Sequence, residues 1–158
     1  PTLQNESRAL VLDIGGFTAD YLQLRNGEGN LAVCDSLESG VISLYNKIIS
    51  RVNAEHDILL DEEEIDAILL KQKTPATPDV AKIVERKAQD FINDLFSTLR
   101  ERGLELKTGK VVFVGGGSIL LRRQILASGK IGSALFVEDV RANAKGYELL
   151  YRAVSGSR

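Results

Sequence analysis

The chain has 158 residues, 44% of them hydrophobic, which is enough for one domain with a buried core. Twenty basic side chains against twenty-two acidic ones give a formal charge of −2, so there is no electrostatic footprint for nucleic acid or an anionic membrane. No run approaches the ~18 consecutive apolar residues of a membrane span. One cysteine, Cys34, and one histidine, His56, exclude an intramolecular disulfide and a zinc site of the usual kind, and the expectation is a soluble, cytoplasmic protein.

Residues 1–7 read as a loose leader. The apolar run Ala9 to Leu12, closed by Asp13, predicts a strand over 8–13, and Tyr21 to Leu24 a second over 20–25. The cluster Asn26-Gly27-Glu28-Gly29-Asn30 is a turn signal, followed by a third strand over 31–35. Ser39-Gly40 then opens a helix on which Val41, Leu44, Tyr45, Ile48, Ile49 and Val52 recur at the helical period. After a connection over 53–60, Asp61 and Glu64 have the spacing of a capping box for a short helix carrying Ile65, Ile68 and Leu69. Two prolines in Thr74-Pro75-Ala76-Thr77-Pro78 interrupt the pattern. Asp79 is expected to cap a long helix with the stripe Val80, Ile83, Val84, Ala88, Phe91, Ile92, Leu95 and Leu99, ended by Gly103. Val111 to Val114 is apolar throughout, as in a strand buried on both faces. Gly115-Gly116-Gly117 follows, with Ser118 expected to cap a helix to Ala127. A strand over 134–137 and a helix over 141–153 complete the order, and 155–158 read as a loose end.

A three-strand antiparallel meander continued by helix-crossed parallel strands is the ribonuclease-H-like α/β layout, a mixed five-stranded sheet flanked by helices. Residues 8–52 and 109–154 would form that core subdomain, and 53–108 an inserted helical subdomain.

Two glycine turns fall at the carboxyl ends of predicted strands, where loops of such sheets converge on ligands. In Asp13-Ile14-Gly15-Gly16-Phe17-Thr18-Ala19-Asp20, the glycines admit a tight turn whose amides can face an anion, and an adjacent carboxylate can hold Mg²⁺ through its waters. An ordinary Gly-Gly hairpin with a solvated aspartate reads equally well from this stretch alone. Gly115, Gly116 and Gly117 remove three side chains, so a flat ring and a ribose could lie on bare backbone. Ala142, Ala144 and Gly146 keep a third stretch thin, for a close partner or for tight packing. No Gly-x-x-x-x-Gly-Lys-Ser/Thr and no Gly-x-Ser-x-Gly is present, which removes P-loop and serine-hydrolase chemistry.

Asp-Ile-Gly-Gly-x-Thr-x-Asp (Asp13 to Asp20), Val-Gly-Gly-Gly-Ser (Val114 to Ser118) and Ala-Asn-Ala-x-Gly-Tyr (Ala142 to Tyr147), in this order, resemble the second half of an actin-like ATPase, nearest to the ParM/StbA plasmid-segregation branch. The resemblance implies ATP or GTP with Mg²⁺. Asp13 would hold the water-coordinated metal, and Gly15, Gly16 and Thr18 would face the β- and γ-phosphates. Gly115, Gly116 and Gly117 would line the adenosine side, with Glu85 or Lys87 of the long helix reaching the ribose. It also implies a missing N-terminal half in cis, self-association of the full-length protein into filaments, and an indirect link to DNA through an adaptor. Only twelve residues precede Asp13, too few for the family's other phosphate loop. Half a phosphate clamp should not turn over, so the fragment is expected to be inactive alone. Another enzyme of the same superfold, such as a sugar kinase or chaperone-type ATPase, and a non-catalytic assembly module are the alternatives.

Overall fold

The computed structural model describes residues 8–25 and 28–138. The expected last helix, and with it the Ala142 to Tyr147 stretch, lies outside the described residues. Strands β1 (Arg8–Ile14), β2 (Ala19–Arg25), β3 (Glu28–Leu37), β4 (Lys110–Val114) and β5 (Ser133–Phe136) form one five-stranded sheet in the order β3-β2-β1-β4-β5. β1 pairs antiparallel with β2, as does β2 with β3, while β1–β4 and β4–β5 are parallel. This is the expected ribonuclease-H-like arrangement. The β2–β3 register shifts between Leu22 and Gln23, and β3 runs beyond both ends of the expected 31–35.

The alternation of side chains along the central strands sorts the core onto two faces. Leu10, Leu12, Ile14, Val111 and Phe113 join the large cluster under the helices, whereas Ala9, Val11, Leu24, Val112 and Val114 form a smaller one. α1 (Val41–His56) and the long α3 (Pro78–Glu101) bring apolar stripes to the first face, and α2 (Glu62–Leu69) packs on α3. The α3 stripe, Val80-Val84-Ala88-Ile92-Phe96, steps by four residues, so each turn buries one side chain in the same groove. α4 (Gly116–Leu120) and α5 (Arg122–Ala127) connect β4 to β5.

Helix ends account for the remaining differences from the sequence reading. α3 is capped by Thr77, whose Oγ1 accepts from Val80 N–H, and Asp79 sits in the first turn instead. Pro78 moves the start: its fixed φ and missing N–H suit the first helical position, which makes the residue before it the cap. α1 continues to His56, where Asp57 takes a left-handed conformation (φ 54°). Asp61 does accept from Glu64 N–H at 2.8 Å, and Gly103 ends α3 with φ +84°. No helix among the described residues is long and apolar enough to cross a membrane.

Candidate functional site

β1 and β4 are parallel neighbours whose register sets Asp13 beside Val114. The loops that leave these strands therefore start side by side. Gly15 and Gly16 from the first, and Gly116 and Gly117 from the second, line one cleft of about 420 Å³. Its other walls are apolar (Val41, Ile42, Leu70, Ile119 and Leu120) except for two polar side chains, Tyr45 and Asp66.

The first loop is strapped to the start of α1. Gly15 N–H donates to Thr18 C=O at 2.9 Å, closing the turn. The carbonyls of Gly15 and Gly16 accept from Val41 N–H (3.0 Å) and Ile42 N–H (2.9 Å). The N-cap, Gly40, has no side-chain acceptor, so the loop satisfies helix amides that a capping side chain would otherwise take. Backbones meet so closely here that a Cβ on Gly40 would fall 2.2 Å from the Gly16 oxygen. In a planar trans peptide the N–H points opposite to the preceding C=O, and no peptide in the described chain is cis. The N–H groups of Gly16 and Phe17 therefore point away from α1. Neither has a partner among the described residues, and two successive outward amides form an anion-binding nest. Phe17 itself is 79% exposed.

In the second loop each glycine has its own reason. Gly115 has φ +89°, and a Cβ there would fall 2.2 Å from Asp13 Oδ1. A Cβ on Gly117 would come within 2.6 Å of both the Ile14 carbonyl and Val41 Cγ2. Gly116 faces open space. Two of the three glycines thus make room for neighbouring protein atoms, and Gly116 alone presents unobstructed backbone. α4 begins at Gly116, two residues before the expected cap, because Ser118 Oγ is buried and donates back to Val114 C=O at 2.6 Å.

The other expected residues lie elsewhere. Thr18 is half-buried beside the cleft, its Oγ1 3.5 Å from Asp20 Oδ2. Glu85 is not a cleft residue. Its carboxylate accepts from Arg123 Nη2 at 2.6 Å and Gln124 Nε2 at 2.8 Å, with Lys71 Nζ at 3.6 Å, and Arg123 also donates to the Leu69 carbonyl. This network ties the end of α2 to α3 and α5. Lys87, half-buried on α3, is also absent from the cleft walls.

Tyr45 and Asp66 were not singled out by the sequence. Tyr45 falls on the apolar stripe of α1 and Asp66 among the acids of α2, and only folding joins them: Tyr45 OH donates to Asp66 Oδ1. Burial raises the Tyr45 pKa above its ordinary value, with the hydrogen bond to Asp66 and the charges of Asp66 and Glu62 adding to it, so the phenol keeps its proton. Among the described residues no group of three His, Cys, Asp or Glu side chains is placed to hold a metal. Asp13 could still supply one carboxylate to a Mg²⁺ whose remaining ligands are waters and phosphate.

A family model described as "Archaeal actin homologue MreB-like, C-terminal" matches residues 11–127. The chain belongs to this family. Comparison with curated proteins gives no match. Among solved structures, the archaeal actin homologue Ta0583 aligns with a TM-score of 0.64 and 19% identity, covering 98% of this chain and 49% of that one. The Alp12 filament structure aligns with a TM-score of 0.66 and 17% identity, over 96% of this chain and 48% of that one. Bacillus thuringiensis ParM with ATP gives a TM-score of 0.60 and 14% identity, over 98% and 48%. This actin-like chain therefore spans about half the length of the structures it matches, and at these identities the likeness is one of fold. The expected second half of an actin-like fold is what the family and the structures bear out.

Proposed function

We propose that this chain is the nucleotide-gripping C-terminal half of an actin-like ATPase whose parent polymerises to segregate plasmid or other DNA. The observation that carries the reading is that two loops distant in sequence line one cleft, one of them with two outward amides that have no partner among the described residues. The Gly16 and Phe17 N–H groups would bind the β- and γ-phosphates, on a turn that Gly15 and Thr18 shape. Asp13 would hold Mg²⁺ through its waters, and the bound ion would neutralise charge on the phosphate oxygens. Gly116, with Ile119 and Leu120, would give an open surface for the nucleoside.

Related folds support the ligand and the assembly: Ta0583 was solved in complex with ADP, ParM with ATP and Alp12 as a filament. In this reading the parent works in the cytoplasm, an N-terminal half in cis closes the cleft, subunits stack head to tail, and an adaptor links the polymer to DNA. Head-to-tail contacts do not close on themselves, which is what extends a filament. Phosphoryl transfer depends on clamping from both sides, so the 158 residues alone bind nucleotide weakly and do not turn it over.

The test is an amide-resolved NMR titration of the chain with millimolar Mg·ADP. Shifts concentrated at Gly16, Phe17, Gly116 and Gly117 are expected, with no steady ATP hydrolysis. Absence of shifts at those amides would refute nucleotide binding, and a sustained ATPase rate would refute the half-clamp.

A further inference from the structure

We propose that the exposed ring of Phe17 is an apolar anchor onto which the N-terminal half of the parent docks when nucleotide occupies the cleft. The proposal rests on the nucleotide reading above and extends it to a protein contact. Phe17 is 79% exposed and belongs to neither hydrophobic cluster, so the core accounts for no aromatic side chain there. The turn does not ask for one either. Gly15 N–H and Thr18 C=O close it with backbone groups, and turn positions favour small or polar residues. A large ring left in water gains by burial against a partner.

Position and charge point to the partner. Phe17 follows directly on Gly16, a wall residue of the cleft, and Leu70, another wall residue, is 42% exposed. Between Asp13 and Asp20 the turn carries no charged residue, so it suits an apolar protein surface and not an anionic one. The solved structures that share this fold run to about twice the length of this chain, and a parent of that size has a second half to set against the cleft. Ring and anion nest also share one residue. A phosphate on the Phe17 N–H would fix the backbone from which the Cα–Cβ bond departs, and so present the ring in one direction. Ligand and docked half then strengthen each other by the same factor.

The experiment reads burial directly through Phe17→Trp, since these 158 residues contain no tryptophan of their own. Acrylamide quenching of the indole is measured in this chain and in the full-length parent, with and without Mg·ADP and over a range of protein concentrations, after subtracting the emission of the unsubstituted protein. The indole should stay open to quencher in this chain in both states, and become shielded in the parent when ADP binds. In the parent, Phe17→Ala should bind ADP about tenfold more weakly, whereas Phe17→Leu, which keeps an apolar group, should lose no more than about threefold. Amide dispersion like that of the unsubstituted chain confirms that each variant is folded. An indole that stays open in the ADP-bound parent would overturn the docking and leave the nucleotide reading standing. Shielding by ADP in this chain alone would show that the ligand covers the ring, and shielding that grows with concentration would show a second copy there; either overturns the proposal. Equal loss in Phe17→Ala and Phe17→Leu would overturn the apolar anchor. No binding of ADP by the parent would overturn both readings.

Discussion

Replacing Gly40 with alanine tests whether the first loop is held by helix α1. The Gly40 backbone (φ −100°, ψ 172°) is open to any L-residue, so the substitution carries no torsional penalty. The cost is contact. The new Cβ would lie 2.2 Å from the Gly16 oxygen, 2.4 Å from the Gly16 carbonyl carbon and 2.5 Å from the Phe17 carbonyl carbon, all backbone atoms that no rotamer change can move. Relief requires the loop to retreat by roughly 1 Å, which breaks or stretches the bonds from Val41 N–H and Ile42 N–H to the loop carbonyls. Two main-chain hydrogen bonds at about 1 kcal/mol each, plus packing loss, give about 2–4 kcal/mol of destabilisation. Urea denaturation measures it. The control is Gly116→Ala, where a Cβ meets nothing within 4 Å and the position opens α4, so the fold should be unaffected or gain up to about 1 kcal/mol. Equal stability of the two variants would refute the strap.

Ligand binding should show the opposite ranking of cause: Gly116→Ala, harmless to the fold, is expected to weaken ADP binding in an NMR titration by placing a methyl where the proposed nucleoside would lie. Gly115→Ala combines a left-handed φ with a Cβ against Asp13 Oδ1 and should cost about 2 kcal/mol or more by denaturation. Thr77→Ala removes the α3 cap and should cost about 1 kcal/mol in the same assay. Because the Tyr45 pKa is raised on folding, its contribution is fully present below the unfolded value of about 10 and fades as pH climbs above it. Urea midpoints measured between pH 9 and 11, about one unit either side of that value, should therefore fall more steeply for the parent than for Tyr45→Phe.

Patterns carried by consecutive or evenly spaced residues were open to reading. The apolar run of β4, the α3 stripe and the Asp61–Glu64 cap each satisfy a local rule, and each formed where expected. Two parallel strands ending in glycine loops also implied that those loops would meet, and they do. Features resting on distant partners were closed to it. Tyr45 and Asp66 are 21 residues apart and each suits an ordinary helix position. Glu85 has a chemistry that fits a sugar, yet Arg123, 38 residues later, occupies it. Gly40 looked like a helix opener, and nothing local shows that the Gly16 carbonyl lies against its Cα. At Thr77 and Asp79 two good capping residues competed, and the proline between them settled which one works.

The strap at Gly40 has a mechanical side. α1 has 16 residues, making it a rod about 24 Å long whose base is bolted to the first loop. Past its far end lie Ile58 and Leu59, the latter 78% exposed. A tilt of about 5° at the bolted end sweeps the other end through about 2 Å over that length. The glycine turn is therefore joined to a rod whose buried side, Val41, Leu44, Ile48 and Val52, is seated in the core, so that any shift of the turn has to be absorbed by the packing along that rod.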